Sequence, residues 1–153
     1  MANLNKYDAV SWRMDVGVNH TPAYQVSGRP FAKGNITTHN NGAVKVTFPY
    51  VTRWIYVINH DQTKRLRVGF SELGVLGTSA EGSCYFELPK ADLADKGGGA
   101  SVRLELKVSE IWLSGSNAGD NGIADVIAGL TSILPPKVKT NSGPSWSGSV
   151  GVG

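Results

Sequence analysis

The residues able to do acid–base or metal chemistry are few, and their spacing gives them no common site. His20, His39 and His60 lie in polar, turn-like stretches. None of them has the spacing from another His, a Cys or an acidic residue that a pair of metal ligands requires. Asp61 follows His60 directly, but neighbouring side chains on a strand or tight turn point apart, so the two make a poor catalytic dyad. We therefore predict no metal, no cofactor and no catalytic residue.

Two further features resemble chemical sites only superficially. Cys84 is the single cysteine and lies in a strand-like run, so we expect a buried, unreactive thiol and no internal disulfide. In segment 115–122 the ligand candidates Asp120 and Asn121 are adjacent, whereas a calcium-binding loop alternates its ligands. The sequence also lacks a nucleophile elbow, a P-loop and a dinucleotide fingerprint. The protein is predicted not to be an enzyme.

Composition indicates one small domain with many turns. The chain has 153 residues, and its 19 Gly and 7 Pro favour short strands over long helices. The net charge is +3 with both signs interspersed, and the densest basic spot, 64–67, is too short for a nucleic-acid arm. Neither a signal peptide nor an apolar stretch of membrane-spanning length is present. We expect synthesis in the cytoplasm, without membrane insertion and without a specific nucleic-acid partner.

Alternating apolar residues predict a series of short strands through the middle of the chain. Residues 44–48 alternate apolar with polar side chains until Pro49. Further strands are predicted over 51–59, 65–70 and 83–88, which are rich in β-branched and aromatic residues or alternate in the same way. This spacing of strands and turns is typical of an all-β domain.

Two later segments are less regular. Residues 102–108 alternate apolar with charged side chains and predict one strand, but the phase breaks at Glu110, where we expect a β-bulge. In 123–134 the apolar spacing suits a helix, whereas the β-branched residues and the central Gly129 suit a strand, which we favour. Both alternatives stay open from sequence alone.

Over the whole chain we count about eight strand-like segments, which predict an all-β fold with a single eight-stranded jelly-roll β-sandwich as the leading candidate. We interpret residues 1–20 as an N-terminal arm and residues 21–136 as the jelly-roll domain. Residues 137–153 form a Gly/Ser-rich C-terminal tail that we expect to be extended or mobile.

The predicted strand at 51–59 is apolar on both faces. Its two faces carry Val51, Ile55 and Val57 on one side and Trp54, Tyr56 and Ile58 on the other. A second layer must cover the outer side, either another part of the chain or another subunit. Because aromatic residues and arginine are enriched at interface centres, we select Arg53, Trp54 and Tyr56 as subunit-interface candidates.

Five stretches of the chain carry a resemblance to a known family. They are YQVSGRPF at 24–31, FPYVTRW at 48–54, LRVGFS at 66–71, VIAGLT at 126–131 and WSGSVGVG at 146–153. These stretches, together with the overall size, resemble the penton, or vertex capsid, proteins of large icosahedral double-stranded DNA viruses with jelly-roll capsids. The similarity spans 24–134 in patches and includes the Gly-rich end.

The resemblance implies a structural role in a virion rather than catalysis. It implies a single vertical jelly roll that forms a homopentamer at each capsid vertex. The neighbours would be the trimeric double-jelly-roll major capsid protein and minor capsid proteins. It brings no catalytic residues, and it leaves the residues of the fivefold contact undefined.

Two alternatives to the capsid role remain. The first is a carbohydrate- or receptor-binding β-sandwich module of a viral spike or fibre, in which Trp12, Trp112 and Trp146 would stack on sugar rings. Trp112 also fits a core position, because it continues an apolar run. The second is an enzyme whose cleft is assembled from loop residues, which include His39, His60, Asp61 and Glu72.

Overall fold

The structure is a computed structural model that describes residues 16–22, 28–39, 42–92, 99–116 and 122–153. Within these ranges the chain forms eight strands, one short α-helix and one 3-10 helix. The strands are β1 (Arg29–Thr38), β2 (Val44–Thr47), β3 (Thr52–Asn59), β4 (Leu66–Gly69), β5 (Tyr85–Leu88), β6 (Ala100–Leu104), β7 (Glu110–Gly115) and β8 (Gly122–Leu130). Helix α1 spans Glu72–Leu76, and the 3-10 helix spans Pro135–Val138.

The strands form two antiparallel sheets of four strands each, and both sheets contribute to one hydrophobic core. The first sheet has the order β1-β8-β3-β6 and the second has the order β2-β7-β4-β5. Ile55 and Val126 of the first sheet lie in the same buried cluster as Ile111 and Leu113 of the second. The predicted all-β class is confirmed.

The ambiguous segment 123–134 is a strand through Leu130. Strand β8 pairs with β1 on one side and with β3 on the other, so it lies inside the first sheet. Its alternate residues Ala124, Val126 and Ala128 are buried in the core. Alternate residues of the segment therefore face the core, which is the period that a sheet with one buried face requires.

The segment around 102–110 differs from its prediction. Strand β6 ends at Leu104, and the chain then crosses to the second sheet, where β7 begins. The Thr52 hydroxyl bonds to the crossing segment by donating to the Leu106 carbonyl at 2.6 Å. Strand β7 pairs with β2 from Glu110 onward without a register shift, so the predicted β-bulge at Glu110 is wrong. The phase of the apolar pattern breaks because the chain changes sheets.

Strand β1 has no counterpart in the sequence prediction. It contains Pro30 and Gly34, which are both unfavourable in strands, and it lies at the edge of the first sheet. Its register with β8 shifts between Lys33 and Ile36, and Asn35 has φ of 55° in the left-handed region. This irregularity interrupts the alternation that would otherwise indicate a strand.

The C-terminal tail is folded onto the body rather than extended or mobile. The fully buried Ser145 accepts hydrogen bonds through Oγ from the backbone N–H groups of Ser109 and Glu110, each at 2.8 Å. The Trp146 indole N–H donates to the Lys107 carbonyl at 2.7 Å. These bonds satisfy buried backbone groups, which explains how a Gly/Ser-rich segment can be ordered without an apolar periodicity.

The predicted N-terminal arm lies mostly outside the described residues. Of residues 1–20, the structure describes only 16–20. Val16 and Val18 pack there against a small second core of Val51, Ile133 and Val138.

Candidate interaction surface

The outer face of the first sheet carries a group of solvent-facing apolar side chains. Because side chains alternate along a strand, residues in register across neighbouring strands share one face. We call this surface the apolar face. Its outward residues are Pro30, Ala32, Thr37, Trp54, Tyr56, Ile58, Ser101, Arg103, Ile123, Asp125, Ile127 and Gly129. Ile123 and Ile127 are 45% and 39% exposed, which is unusual for isoleucine in a sheet.

Trp54 lies across the neighbouring strand β8 at Gly129. A Cβ atom at position 129 would lie only 2.3 Å from the indole Nε1, so the close approach requires glycine there. The Arg103 guanidinium lies over the indole ring, 4.9 Å from its centroid. The glycine that argued against a helix therefore makes room for one of the predicted interface residues.

Tyr56 shares this face, whereas Arg53 lies in a different environment. The Tyr56 hydroxyl forms a 2.8 Å hydrogen bond with Ser101 Oγ on β6. Arg53 falls where the register of β3 with β8 shifts, and its side chain lines a groove with Glu105 and Lys107. The alternation of β3 brings Trp54 and Tyr56 together and leaves Arg53 out of the set.

A polar pair lies beside the apolar side chains. His60 Nε2 lies 2.8 Å from Asp125 Oδ2, and the backbone N–H of Asn35 donates to Asp125 Oδ1 at 2.7 Å. The Asn35 hydrogen bond lowers the pKa of Asp125 below its usual 3.8; partial burial opposes this, and His60 adds to the lowering. The pair joins the end of β3 to β8 and to the irregular part of β1.

Sequence reasoning missed this pair because its members are 65 residues apart. Asp61, the neighbour considered in the sequence, instead closes its own turn by accepting from the N–H groups of Thr63 and Lys64 at 2.7 and 2.9 Å. Burial raises the pKa of Asp61, but these hydrogen bonds outweigh it and hold the pKa below 3.8. The side chains of His60 and Asp61 thus form hydrogen bonds with different partners, His60 with Asp125 and Asp61 with its own turn.

The outer face of the second sheet has the opposite character, and we call it the charged face. Its outward residues include Lys45, Arg67, Tyr85, Glu87, Glu110 and Trp112. Ion pairs join Arg67 to Glu87 at 3.4 Å and Lys45 to Glu110 at 3.8 Å. Helix α1 packs on this face at β4 and β7, and a Cβ on Gly69 would lie 2.9 Å from Val75 Cβ.

Cys84 is only half-buried, and its sulfur lies 3.7 Å from Ser79 Oγ. Among the described residues, no group of three His, Cys, Asp or Glu side chains could hold a metal ion. No helix in that part of the chain is long and apolar enough to cross a membrane. Neither a family model nor a curated protein matches the sequence, so the resemblance to penton proteins stays a prediction.

Proposed function

We propose that the two sheets form a jelly-roll β-sandwich and that the protein is a structural capsid subunit of the pentameric vertex of an icosahedral virion. The strand order supports the topology. Every connection except that from β4 to β5 passes from one sheet to the other. Such interleaving is expected when an eight-stranded chain winds as two Greek keys, the arrangement of jelly rolls in viral capsids.

Topology alone does not select a function, because jelly rolls also serve as lectin domains and cupins. The observation that carries the capsid proposal is the apolar face. It combines two aromatic side chains, Trp54 and Tyr56, with the exposed Ile123 and Ile127. Exposed apolar patches of this kind on one side of a domain mark protein contacts, and aromatic residues concentrate at the centres of such contacts.

The proposed occupant of the apolar face is a second copy of the chain. A closed ring repeats one heterologous contact, in which each subunit uses two different surfaces. Arg103 and Asp125 bring charge to the apolar face and would orient the contact at its polar positions. The major and minor capsid proteins would then contact other surfaces of the ring. This role requires no cofactor and no specific nucleic acid.

Native mass spectrometry of the purified recombinant protein tests the proposal. We expect a closed pentamer, with five times the 16.3 kDa mass of the chain. A closed pentamer is the assembly that a position on a fivefold axis requires. A strict monomer across the accessible protein concentrations would contradict self-assembly through the apolar face.

A further inference from the structure

Trp112 lies on the charged face and is not part of the core. It is in register with Lys45 on β2 and with Gly69 on β4, and its strand neighbours Ile111 and Leu113 are the ones that point inward. The expectation that Trp112 continues an apolar core face is therefore wrong. Its half-buried indole is an outward-facing aromatic surface.

A groove of about 430 Å³ runs beside this indole. It lies between the charged face, helix α1 and the C-terminal segment, and it is a product of the folded tail. The side chains that line it include Lys45, Glu72, Glu110, Trp112, Ser142 and Ser147. A volume of this size suits a small ligand of one or two rings.

The Glu110 carboxylate is the buried charged group of the groove, since the residue is only 6% exposed. Its Oε1 accepts a hydrogen bond from the Trp112 indole N–H at 3.2 Å. Its Oε2 lies 3.8 Å from Lys45 Nζ, which is an ion-pair distance and too long for a hydrogen bond. A carboxylate can accept about four hydrogen bonds, so Glu110 retains acceptor capacity for a ligand.

The charges in the groove restrict the ligand class. Glu72 and Glu110 disfavour an anion, and Lys45, whose ammonium lies 5.3 Å from the centroid of the Trp112 ring, disfavours a cation. The remaining polar side chains are the hydroxyls of Ser71, Ser142 and Ser147, and Ser71 Oγ already donates to the Val152 carbonyl. A neutral ligand with several hydroxyls and an apolar ring face would satisfy the carboxylate, the ammonium and the indole together.

We propose that this groove binds a neutral carbohydrate, with Trp112 as the stacking surface and Glu110 as the acceptor for sugar hydroxyls. Trp146, another tryptophan considered for stacking, donates its N–H to the Lys107 carbonyl and packs against both cores. Trp12 lies outside the described residues. The inference concerns the charged face, so it is independent of assembly through the apolar face.

The test is a titration of ¹⁵N-labelled protein with the methyl glycosides of glucose, galactose, mannose and N-acetylglucosamine. We expect saturable movement of the Trp112 indole N–H resonance with at least one of these sugars. Trp112→Ala should weaken binding about tenfold or more, as loss of an aromatic stacking surface predicts. Glu110→Gln keeps the shape of the side chain and should weaken binding by a smaller factor, because an acceptor oxygen is replaced by a donor.

Tyr85→Ala is the matched control. Tyr85 is also an aromatic on the charged face with a cation over its ring, Arg67 at 4.8 Å, but it does not line the groove. This variant should bind the sugar with unchanged affinity, and thermal melts establish that all variants are folded. The proposal is overturned if no glycoside gives a saturable shift, or if Trp112→Ala binds as tightly as Tyr85→Ala. Binding of only anionic sugars in a parallel titration would overturn the assigned ligand class.

Discussion

The apolar face and the charged face are the outer faces of the two sheets, but their side chains make different contacts. On the charged face, helix α1 and the C-terminal segment cover part of the sheet, and Arg67 and Lys45 pair with Glu87 and Glu110. On the apolar face, Ile123 and Ile127 are exposed and the Trp54 indole contacts Gly129.

This difference shows how a two-sheet domain can use its outer surfaces. Both sheets bury one face in the common core, so the other face of each is free to vary. The chain covers the charged face with its own residues, and that cover creates a groove. In the proposed assembly, a second copy of the chain covers the apolar face. We propose that the apolar face mediates assembly and that the charged face binds a ligand.

Removing the Ser145 hydroxyl, which anchors the C-terminal segment beside the charged face, should cause the largest loss of stability. Ser145→Ala leaves the N–H groups of Ser109 and Glu110 without their acceptor in a buried position. Each buried donor without a partner costs about 1–3 kcal/mol, so we expect a loss of roughly 2–4 kcal/mol in the free energy of unfolding.

Urea denaturation measures this loss. Ser142→Ala is the control, because Ser142 is an exposed serine of the same segment, and its substitution should cost less than about 0.5 kcal/mol. Equal stabilities of the two variants would mean that the Ser145 hydroxyl does not anchor the segment.

A methyl group at Gly129 should disrupt the apolar face. In Gly129→Ala the new Cβ displaces the Trp54 indole, which it would otherwise approach to 2.3 Å. Overpacking of this kind costs about 1–3 kcal/mol, and we expect the pentamer to dissociate at higher protein concentration than the wild type. Denaturation and sedimentation velocity measure the two effects.

Gly69→Ala is the matched substitution on the charged face, where the new Cβ would lie 2.9 Å from Val75 Cβ. It should destabilise the monomer by a similar mechanism but leave assembly unchanged. If both alanine variants weaken assembly equally, the division of roles between the faces is incorrect.

The Asp125 carboxylate on the apolar face should make the free energy of unfolding of the protein decrease at acid pH. Its folded-state pKa lies below 3.8, so its stabilising contribution is fully present above the unfolded pKa and is lost as pH falls through the folded pKa. Asp125→Asn removes this contribution, and its stability should fall less steeply between about pH 5 and pH 2 than that of the wild type.

Unfolding free energies measured across that pH range provide the comparison. Asp61→Asn is a useful second variant, because the pKa of Asp61 is also lowered but its hydrogen bonds lie within its own turn. A wild-type pH slope in Asp125→Asn would refute a role for the Asp125 contacts in stability.

The cation over Trp54 should contribute the smallest effect. Arg103→Ala removes a guanidinium 4.9 Å from the ring centroid, and we expect a loss of about 0.5–1 kcal/mol in stability. Lys45→Ala removes the corresponding ammonium over Trp112 at 5.3 Å. Calorimetric melting temperatures of the two variants should decrease by a few degrees at most. A larger decrease would show that the ion pairs of Arg103 with Glu105 and of Lys45 with Glu110 also contribute to stability.

The strands with one buried face were predictable from sequence, because burial of alternate residues leaves a period of two. Alternation therefore predicts β2 and β4 near their observed positions, whereas β3 and β5 are predicted by their β-branched and aromatic residues. Along β3, alternation also puts Trp54 and Tyr56 on the side opposite Ile55. Strand β1 was missed because its register shift at Asn35 breaks that period. The bulge predicted at Glu110 was a change of sheet, which alternation within one segment cannot reveal.

The site features missed from sequence depend on contacts between distant residues. The His60–Asp125 pair joins residues on different strands, and Arg53 is set apart from Trp54 by a local register shift. The groove beside Trp112 is closed by the C-terminal segment, whose order depends on the hydrogen bonds of Ser145 rather than on apolar periodicity. Gly/Ser-rich composition alone favours mobility, so the groove could not be predicted.

The most direct test of the account is the native mass of a charge substitution on each outer face. Ile127→Glu adds a carboxylate to an exposed position of the apolar face, and Thr47→Glu adds one to an exposed, outward position on β2. Burying an unpaired charge in a subunit contact is strongly unfavourable. We predict a pentamer for the wild type and Thr47→Glu, and a folded monomer for Ile127→Glu. A pentameric Ile127→Glu would contradict assembly through the apolar face.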